Sequence, residues 1–240
     1  MRRLVPIALA VSAGACVADS GDEGILVLKN VAAEEGCTFM ATESEPSITH
    51  GSLDLALGTG YLFIAQMKSR ITALDDQIDQ RTVITNGANV DLSFPSPSTL
   101  SDSEIAGLES AGLTKYRQLF SAPLLPNGGI ADAGFTLIPA AVTRALSDIS
   151  ATKDQPFEVE ALATFTVTGR MSDGDVASQP FAYPVTIGVG QTVNVVGQCP
   201  LPMGTDVRPG YTCNPGQDGV VDCCMEGTAL RCPATVATAE

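Results

Sequence analysis

From Val159 to Thr168 the chain alternates: Val159, Ala161, Ala163, Phe165 and Val167 fall on one side, and Glu158, Glu160, Thr164, Thr166 and Thr168 on the other. Successive side chains of a strand point to opposite faces, so a period of two buries one face and wets the other, as an antiparallel sheet allows. Met171-Ser172-Asp173-Gly174-Asp175 breaks the pattern, and its Asp-Gly step suits the positive φ of a tight hairpin. The return strand carries Phe181, Tyr183, Val185 and Ile187 on one face, with Pro180 and Pro184 placing part of it at a sheet edge. A hairpin that is wet on one face needs a second layer beneath the other. Phe157 to Val189 therefore predicts an all-β fold, an antiparallel β-sandwich built around this hairpin.

Further segments fit that frame. Ile25 to Asn30 reads as a first strand and Leu53 to Leu57 as a short one. Tyr61, Phe63, Ala65, Met67 and Ile71 oppose Gln66, Lys68 and Arg70 in a half-buried strand. Ala88 to Phe94 repeats the arrangement after an Asn86-Gly87 turn. Ser101 and Glu104 match a capping box, but Gly107 and Gly112 each cost about 1 kcal/mol inside a helix. Leu100 to Gly112 is accordingly expected to be irregular, and Leu113 to Leu125 a strand. Pro126-Asn127-Gly128-Gly129 is a turn, and Phe135 to Ile138 a brief strand. One short helix is expected over Ala140 to Leu146, with Pro139 in its first turn.

The ends differ from the body. Met1-Arg2-Arg3 is positive, Leu4 to Ala13 is an apolar run of signal-peptide length, and Ala13-Gly14-Ala15-Cys16 closes small residues on a cysteine. This resembles the lipobox of bacterial lipoproteins, which implies that Cys16 is lipidated and becomes the first mature residue. The other reading is an ordinary secretory leader cut near Ala15. The expected layout is a signal peptide over 1–15, a lipidated tether over 16–24, a β-sandwich domain over 25–190 and a cysteine-rich segment over 191–240. Acidic residues exceed basic ones by 14, which argues against a nucleic-acid partner.

After Gly190 apolar residues thin out, and Cys199, Cys213, Cys223, Cys224 and Cys232 stand among Pro, Gly and Asn. With Cys37 they make six besides Cys16, an even number in an exported chain, so three disulfides are expected. A zinc site is the rival, but paired C-x-x-C steps are missing. Cys223 and Cys224 are neighbours and should reach different partners. A bond from Cys37 to the tail would dock that tail on the sandwich. The lipobox, Ser178-Gln179-Pro180-Phe181-Ala182-Tyr183-Pro184-Val185, Cys213-Asn214-Pro215-Gly216-Gln217-Asp218, Cys223-Cys224 and Cys232-Pro233 together resemble secreted lipoproteins of unknown function abundant in myxobacteria. The resemblance implies an Ig-like sandwich with a cystine-rich end and brings no catalytic residues. Analogy with small cystine scaffolds suggests Cys199 with Cys224, Cys213 with Cys232 and Cys223 with Cys37.

Chemistry-bearing residues are few. His50 is the single histidine, and no G-x-S-x-G elbow accompanies it, so a loop position is expected. Ser150-Ala151-Thr152-Lys153 matches S-x-x-K without its partner motifs. Asp75-Asp76-Gln77-Ile78-Asp79 lacks the glycine and closing glutamate of a calcium loop, and Asp173-Gly174-Asp175 and Asp218-Gly219 read first as turns. The expectation is a protein lipid-anchored through Cys16 at the outer membrane of a bacterial envelope. There it would act as a non-catalytic binding or structural module for a protein or glycan partner, with no cofactor and no metal. The alternative is an extracytoplasmic hydrolase using a carboxylate pair, as glycosidases do.

Overall fold

A computed structural model describes residues 23–34, 36–73, 81–172 and 174–237. Cys16 with the rest of the leader, the acidic run at 75–79 and Asp173 lie outside the described residues. Strands β1 (Glu23–Val31), β2 (Ser47–Ile48), β3 (Gly51–Asp54), β4 (Tyr61–Ser69) and β5 (Val83–Ser93) precede helix α1 (Asp102–Ser110). Strands β6 (Lys115–Gln118), β7 (Pro123–Leu124) and β8 (Ile130–Ile138) lead to helix α2 (Ala140–Ser150). The alternating stretch forms β9 (Glu158–Met171), followed by β10 (Gly174–Ser178) and β11 (Phe181–Gly188). The tail holds β12 (Val193–Gln198), β13 (Val221–Glu226) and β14 (Ala229–Arg231).

β9 is the hub. It buries Val159, Ala161, Ala163, Phe165 and Val167 on one face, as its alternation requires. One edge pairs with β5, the other first with β10 and then with β11. One extra residue separates the two partner segments, since Ala177 faces Thr168 and Phe181 faces Phe165, so the return strand is bulged around Gln179. β10 passes the sheet on to β1, β4 and β8, while β11 passes it on to β3, giving a single sheet of eleven strands. β3 reaches only Val185 to Gly188, which leaves Pro184 beyond the end of that ladder, in keeping with its missing N–H.

The second layer is the far half of this sheet and not a separate one. Flat, β4 would lie about 14 Å from β9, three strand spacings away. Instead the Phe63 and Phe165 rings meet edge to face at 5.1 Å, and Phe135 of β8 meets Phe165 at 5.3 Å. The sheet therefore folds onto itself around a layer of Phe63, Phe135, Phe165, Phe181 and Tyr183. Each fully buried aromatic ring contributes about 1.5–3 kcal/mol.

Four expectations need correction. The sheets are mixed, because β1 with β10, β3 with β11 and β12 with β13 run parallel. There are two α-helices among the described residues. Leu100 to Gly112 holds α1, with the Ser101–Glu104 capping box closed from both sides. Gly112, at φ +70°, stands just past its end, where its N–H donates to Glu109 O and that of Leu113 to Leu108 O, so the residue that argued against a helix terminates one. α2 extends to Ser150, with Pro139 at the N-cap and not in the first turn.

Two strands are also redrawn. Leu113 to Leu125 is broken into β6 and β7, both paired with β5. Asn86-Gly87 is not a turn but a bulge within β5, where Gly87 has φ +131° and a Cβ would come within 2.2 Å of Gln118 O.

Candidate functional site

The cysteine-rich tail is sewn to the sheet at the β3–β4 end. Gln217 is fully buried, and its side-chain amide acts like one residue of a neighbouring strand: Oε1 accepts from Leu62 N at 2.8 Å and Nε2 donates to Leu62 O at 2.9 Å. Gly216 O accepts from Asp54 N, and Asn214 Nδ2 donates to Gly60 O. Asp54 ends β3 by accepting from Ala56 N, which starts a 3-10 turn over Leu55–Leu57 in place of the expected strand. Its other oxygen accepts from Thr192 N and Val193 N at 2.9 Å each, pinning the start of the tail.

Beneath this seam is a buried polar cluster. Asp218 sits at φ +52°, a left-handed conformation that Asp tolerates better than most residues. Its Oδ1 accepts from Ser52 N at 2.8 Å, and its Oδ2 accepts from Tyr61 Oη at 2.7 Å and Gln217 Nε2 at 3.1 Å. Asn30 Nδ2 donates to both Tyr61 Oη and Tyr183 Oη, and Asn30 Oδ1 accepts from Ile64 N. Burial raises the Asp218 carboxyl above its ordinary range, opposed by these donors. Burial also raises both tyrosines, Tyr183 to about 12. The phenols remain neutral donors, and the cluster holds the tail in place.

The disulfides are Cys37–Cys213, Cys199–Cys224 and Cys223–Cys232. The pairing of Cys199 with Cys224 and a bond from Cys37 to the tail match expectation. Cys213 with Cys232 and Cys223 with Cys37 do not. Cys223 and Cys224 lie on β13, where neighbours face opposite sides. Cys224 joins Cys199 in a small apolar cluster with Leu201 and Ala234, while Cys223 meets Cys232 just beyond the β13–β14 hairpin. Cys213 is carried to Cys37 by its own segment, in which Tyr211 Oη accepts from Ala33 N and Thr212 donates to Glu34 O. With all six bonded, the zinc reading falls.

Among the described residues, the other singled-out side chains are engaged in local contacts. His50 Nε2 is 2.7 Å from Thr186 Oγ1, which in turn donates to Glu160 Oε2 at 3.0 Å. The Thr186 proton is thus spent on Glu160, and His50 Nε2 must donate, so this histidine is no base toward Thr186. Ser150 Oγ donates to Ser147 O, and Lys153 forms an ion pair with Glu104 at 2.7 Å, holding the end of α2 to the start of α1. Asp175 is exposed 3.9 Å from Arg170. Among the described residues, no three His, Cys, Asp or Glu side chains gather as they would around a metal ion.

The outer face of β5, β9 and β10 carries a polar surface. Thr164, Thr166 and Thr168 line the centre, and two recesses flank it. One, of about 450 Å³, is lined by Asn89, Asp91, Lys115, Thr164, Thr166 and Pro180 among others. The second, of about 380 Å³, is lined by Asn86, Arg117, Thr168 and Asp175 among others. Arg117 donates to Asn86 Oδ1 at 2.8 Å and to Thr168 Oγ1 at 3.2 Å, fixing one wall. The face thus carries hydroxyls, amides and both signs of charge on paired strands. The threonine positions were legible as the wet side of the alternation; Asp54, Asn30 and Gln217 carried no sequence signal, because their partners are distant in the chain.

These features define a disulfide-braced, mostly-β protein of the kind suited to an oxidising, extracytoplasmic setting. Among the described residues no helix is long and apolar enough to cross a membrane. No family model matches the chain, and no curated protein matches it. Among solved structures it is similar to a protein from Archaeoglobus fulgidus, at a TM-score of 0.32 and 7% identity, over 55% of this chain and 86% of that one.

Proposed function

We propose that this chain is a braced, non-catalytic binding platform at a bacterial cell envelope, anchored through Cys16, presenting its outer sheet face to a protein or glycan partner. The carrying observation is the contrast between the two ends of the polar inventory. Polar groups at the seam face inward and hold the tail, whereas Asn86, Asn89, Asp91, Thr166 and Thr168 stand around two recesses on the outer face, where Arg117 and Lys115 bond several of them into a fixed arrangement. Convergent amide, hydroxyl and charged groups in a concavity suit an extended polar ligand. The lipobox-like Ala13-Gly14-Ala15-Cys16 and the resemblance to myxobacterial lipoproteins support the anchor and the outer-membrane location. The facing aromatic layers support the Ig-like reading of the sandwich, from which the parallel pairings depart.

A photocrosslinking residue placed at Asn89 tests the platform on intact cells, with Glu109 on α1 as the control position. The expected result is an adduct with an envelope component from position 89 and none from 109. Free monomer alone from both positions would overturn the reading. For the anchor, Cys16→Ser should release the protein from the membrane fraction, since a lipid chain supplies its membrane affinity.

A further inference from the structure

Lys29, Gln66 and Asp132 stand in register across β1, β4 and β8. They lie on the outer side of the sheet, since Ala65 and Met67, the neighbours of Gln66, belong to the core. The segment between β1 and β2 crosses this row. Gln66 Nε2 donates to Thr42 O at 2.9 Å, Lys29 Nζ donates to Glu43 O at 2.8 Å and Glu45 O at 2.6 Å, and Lys68 pairs with Glu43 at 2.6 Å. Gln66 is fully buried as a result. The cover itself places nothing in the core, for every residue from Gly36 to Pro46 is exposed or half-buried. A segment held by surface polar contacts belongs to the low end of local stability.

One covalent bond fixes this cover. Cys37–Cys213 ties it to the tail, while Cys199–Cys224 and Cys223–Cys232 close the tail on itself. It is also the accessible bridge: Cys37 is exposed and Cys213 half-buried, whereas Cys223 and Cys224, one in each of the other two, are fully buried. Cys37 has φ +57°, a left-handed conformation that cysteine adopts less readily than glycine, asparagine or aspartate. Exposed or strained disulfides are the labile ones in thiol exchange.

We propose that Cys37–Cys213 is a redox-sensitive clasp, which holds the segment from Gly36 to Pro46 closed over the Lys29, Gln66 and Asp132 row and which a dithiol reductant opens before the other two bridges. A thiolate of the reductant attacks Cys37 Sγ, the Cys37–Cys213 bond breaks, and Cys213 leaves as a thiolate that takes a proton. The second thiol of the reductant then displaces Cys37, leaving two cysteine thiols and the reductant as a cyclic disulfide. The tail stays seated, because Asp54, Gln217 and Asp218 hold it without this bond. Gln66 Oε1 and Asp132 Oδ2 have no donor from the protein, so opening breaks no hydrogen bond at those atoms. An ammonium, an amide and a carboxyl then face solvent in one row. In an oxidising compartment the row stays covered.

Graded reduction of the purified full-length chain with dithiothreitol, stopped by alkylation and followed by peptide mapping, tests the order of opening. Amide exchange on the partly reduced protein tests the motion. The expected result is labelling of Cys37 and Cys213 at about tenfold less reductant than any of the other four cysteines needs. In that form, exchange from Thr38 to Glu45 should speed at least about tenfold while β9 remains protected. Cys37→Ser combined with Cys213→Ser should show the same fast exchange without reductant. If that double variant folds poorly, the partly reduced parent carries the test alone. Earlier or simultaneous labelling of the tail bridges, unchanged exchange from Thr38 to Glu45 once Cys37 and Cys213 are reduced, or loss of β9 protection along with it would each overturn the clasp.

Discussion

Tyr61 Oη donates to Asp218 Oδ2 at 2.7 Å, joining the first residue of β4 to a left-handed residue in the tail. Asp218→Asn keeps the shape and tolerates the same backbone, but sets an amide nitrogen either against Ser52 N or against the Tyr61 and Gln217 donors. Leaving buried partners unpaired should cost about 1–3 kcal/mol, measured by urea denaturation.

The same carboxyl predicts a pH dependence. Its pKa is raised by burial, so between the unfolded value of about 3.9 and the folded value the native state binds more protons than the unfolded chain. This contribution therefore weakens stability as pH rises through that window. Urea midpoints across acid pH should show this component in the parent and lose it in Asp218→Asn.

Glu104 should act in the opposite sense. Hydrogen bonding to Lys153 and to Ser101 lowers its pKa to about 2. The stability it lends is present above the unfolded value of about 4.3 and is lost as pH falls toward 2. Glu104→Gln should flatten that part of the acid limb, and Ser101→Ala should cost about 1 kcal/mol by loss of the cap, both read from thermal melts.

Asp54→Ala would strip acceptors from Ala56 N, Thr192 N and Val193 N. A loss of about 1–3 kcal/mol is expected. Because two of those donors open the tail, limited proteolysis should cut near residues 189–192 sooner than in the parent.

The staples should differ in weight. Cys37–Cys213 spans 176 positions, for which the chain-entropy model gives roughly 5 kcal/mol. Cys223–Cys232 spans 9, worth about 2.5 kcal/mol on the same model. Paired serine substitutions compared by chemical denaturation should rank in that order.

Local order was readable from the chain wherever it rests on local pattern. The alternation around Phe165 located β9 and its faces, and the parity of the cysteines anticipated a bridge from Cys37 to the tail. Gly112 and Gly87 misled because a glycine at positive φ can end a helix or bulge a strand as readily as it makes a turn, and only its neighbours decide. The parallel pairing of β1 with β10 depends on segments some 150 residues apart, and no short-range pattern encodes it. Adjacency shows that Cys223 and Cys224 take different partners, but which partner each takes follows from their opposite directions on β13. The Gln217–Leu62 clasp left no trace, since a buried glutamine looks like any other glutamine in sequence.

Cys37–Cys213 braces the tail to the β1 side of the sheet, and Cys199–Cys224 and Cys223–Cys232 close the tail on itself, as an oxidising compartment allows. Non-reducing peptide mapping of the protein taken from its native envelope addresses this bracing most directly. A linked pair of peptides carrying Cys37 and Cys213 is the predicted result, beside Cys199–Cys224 and Cys223–Cys232. A free thiol at Cys37, or Cys213 bonded to another tail cysteine, would contradict it.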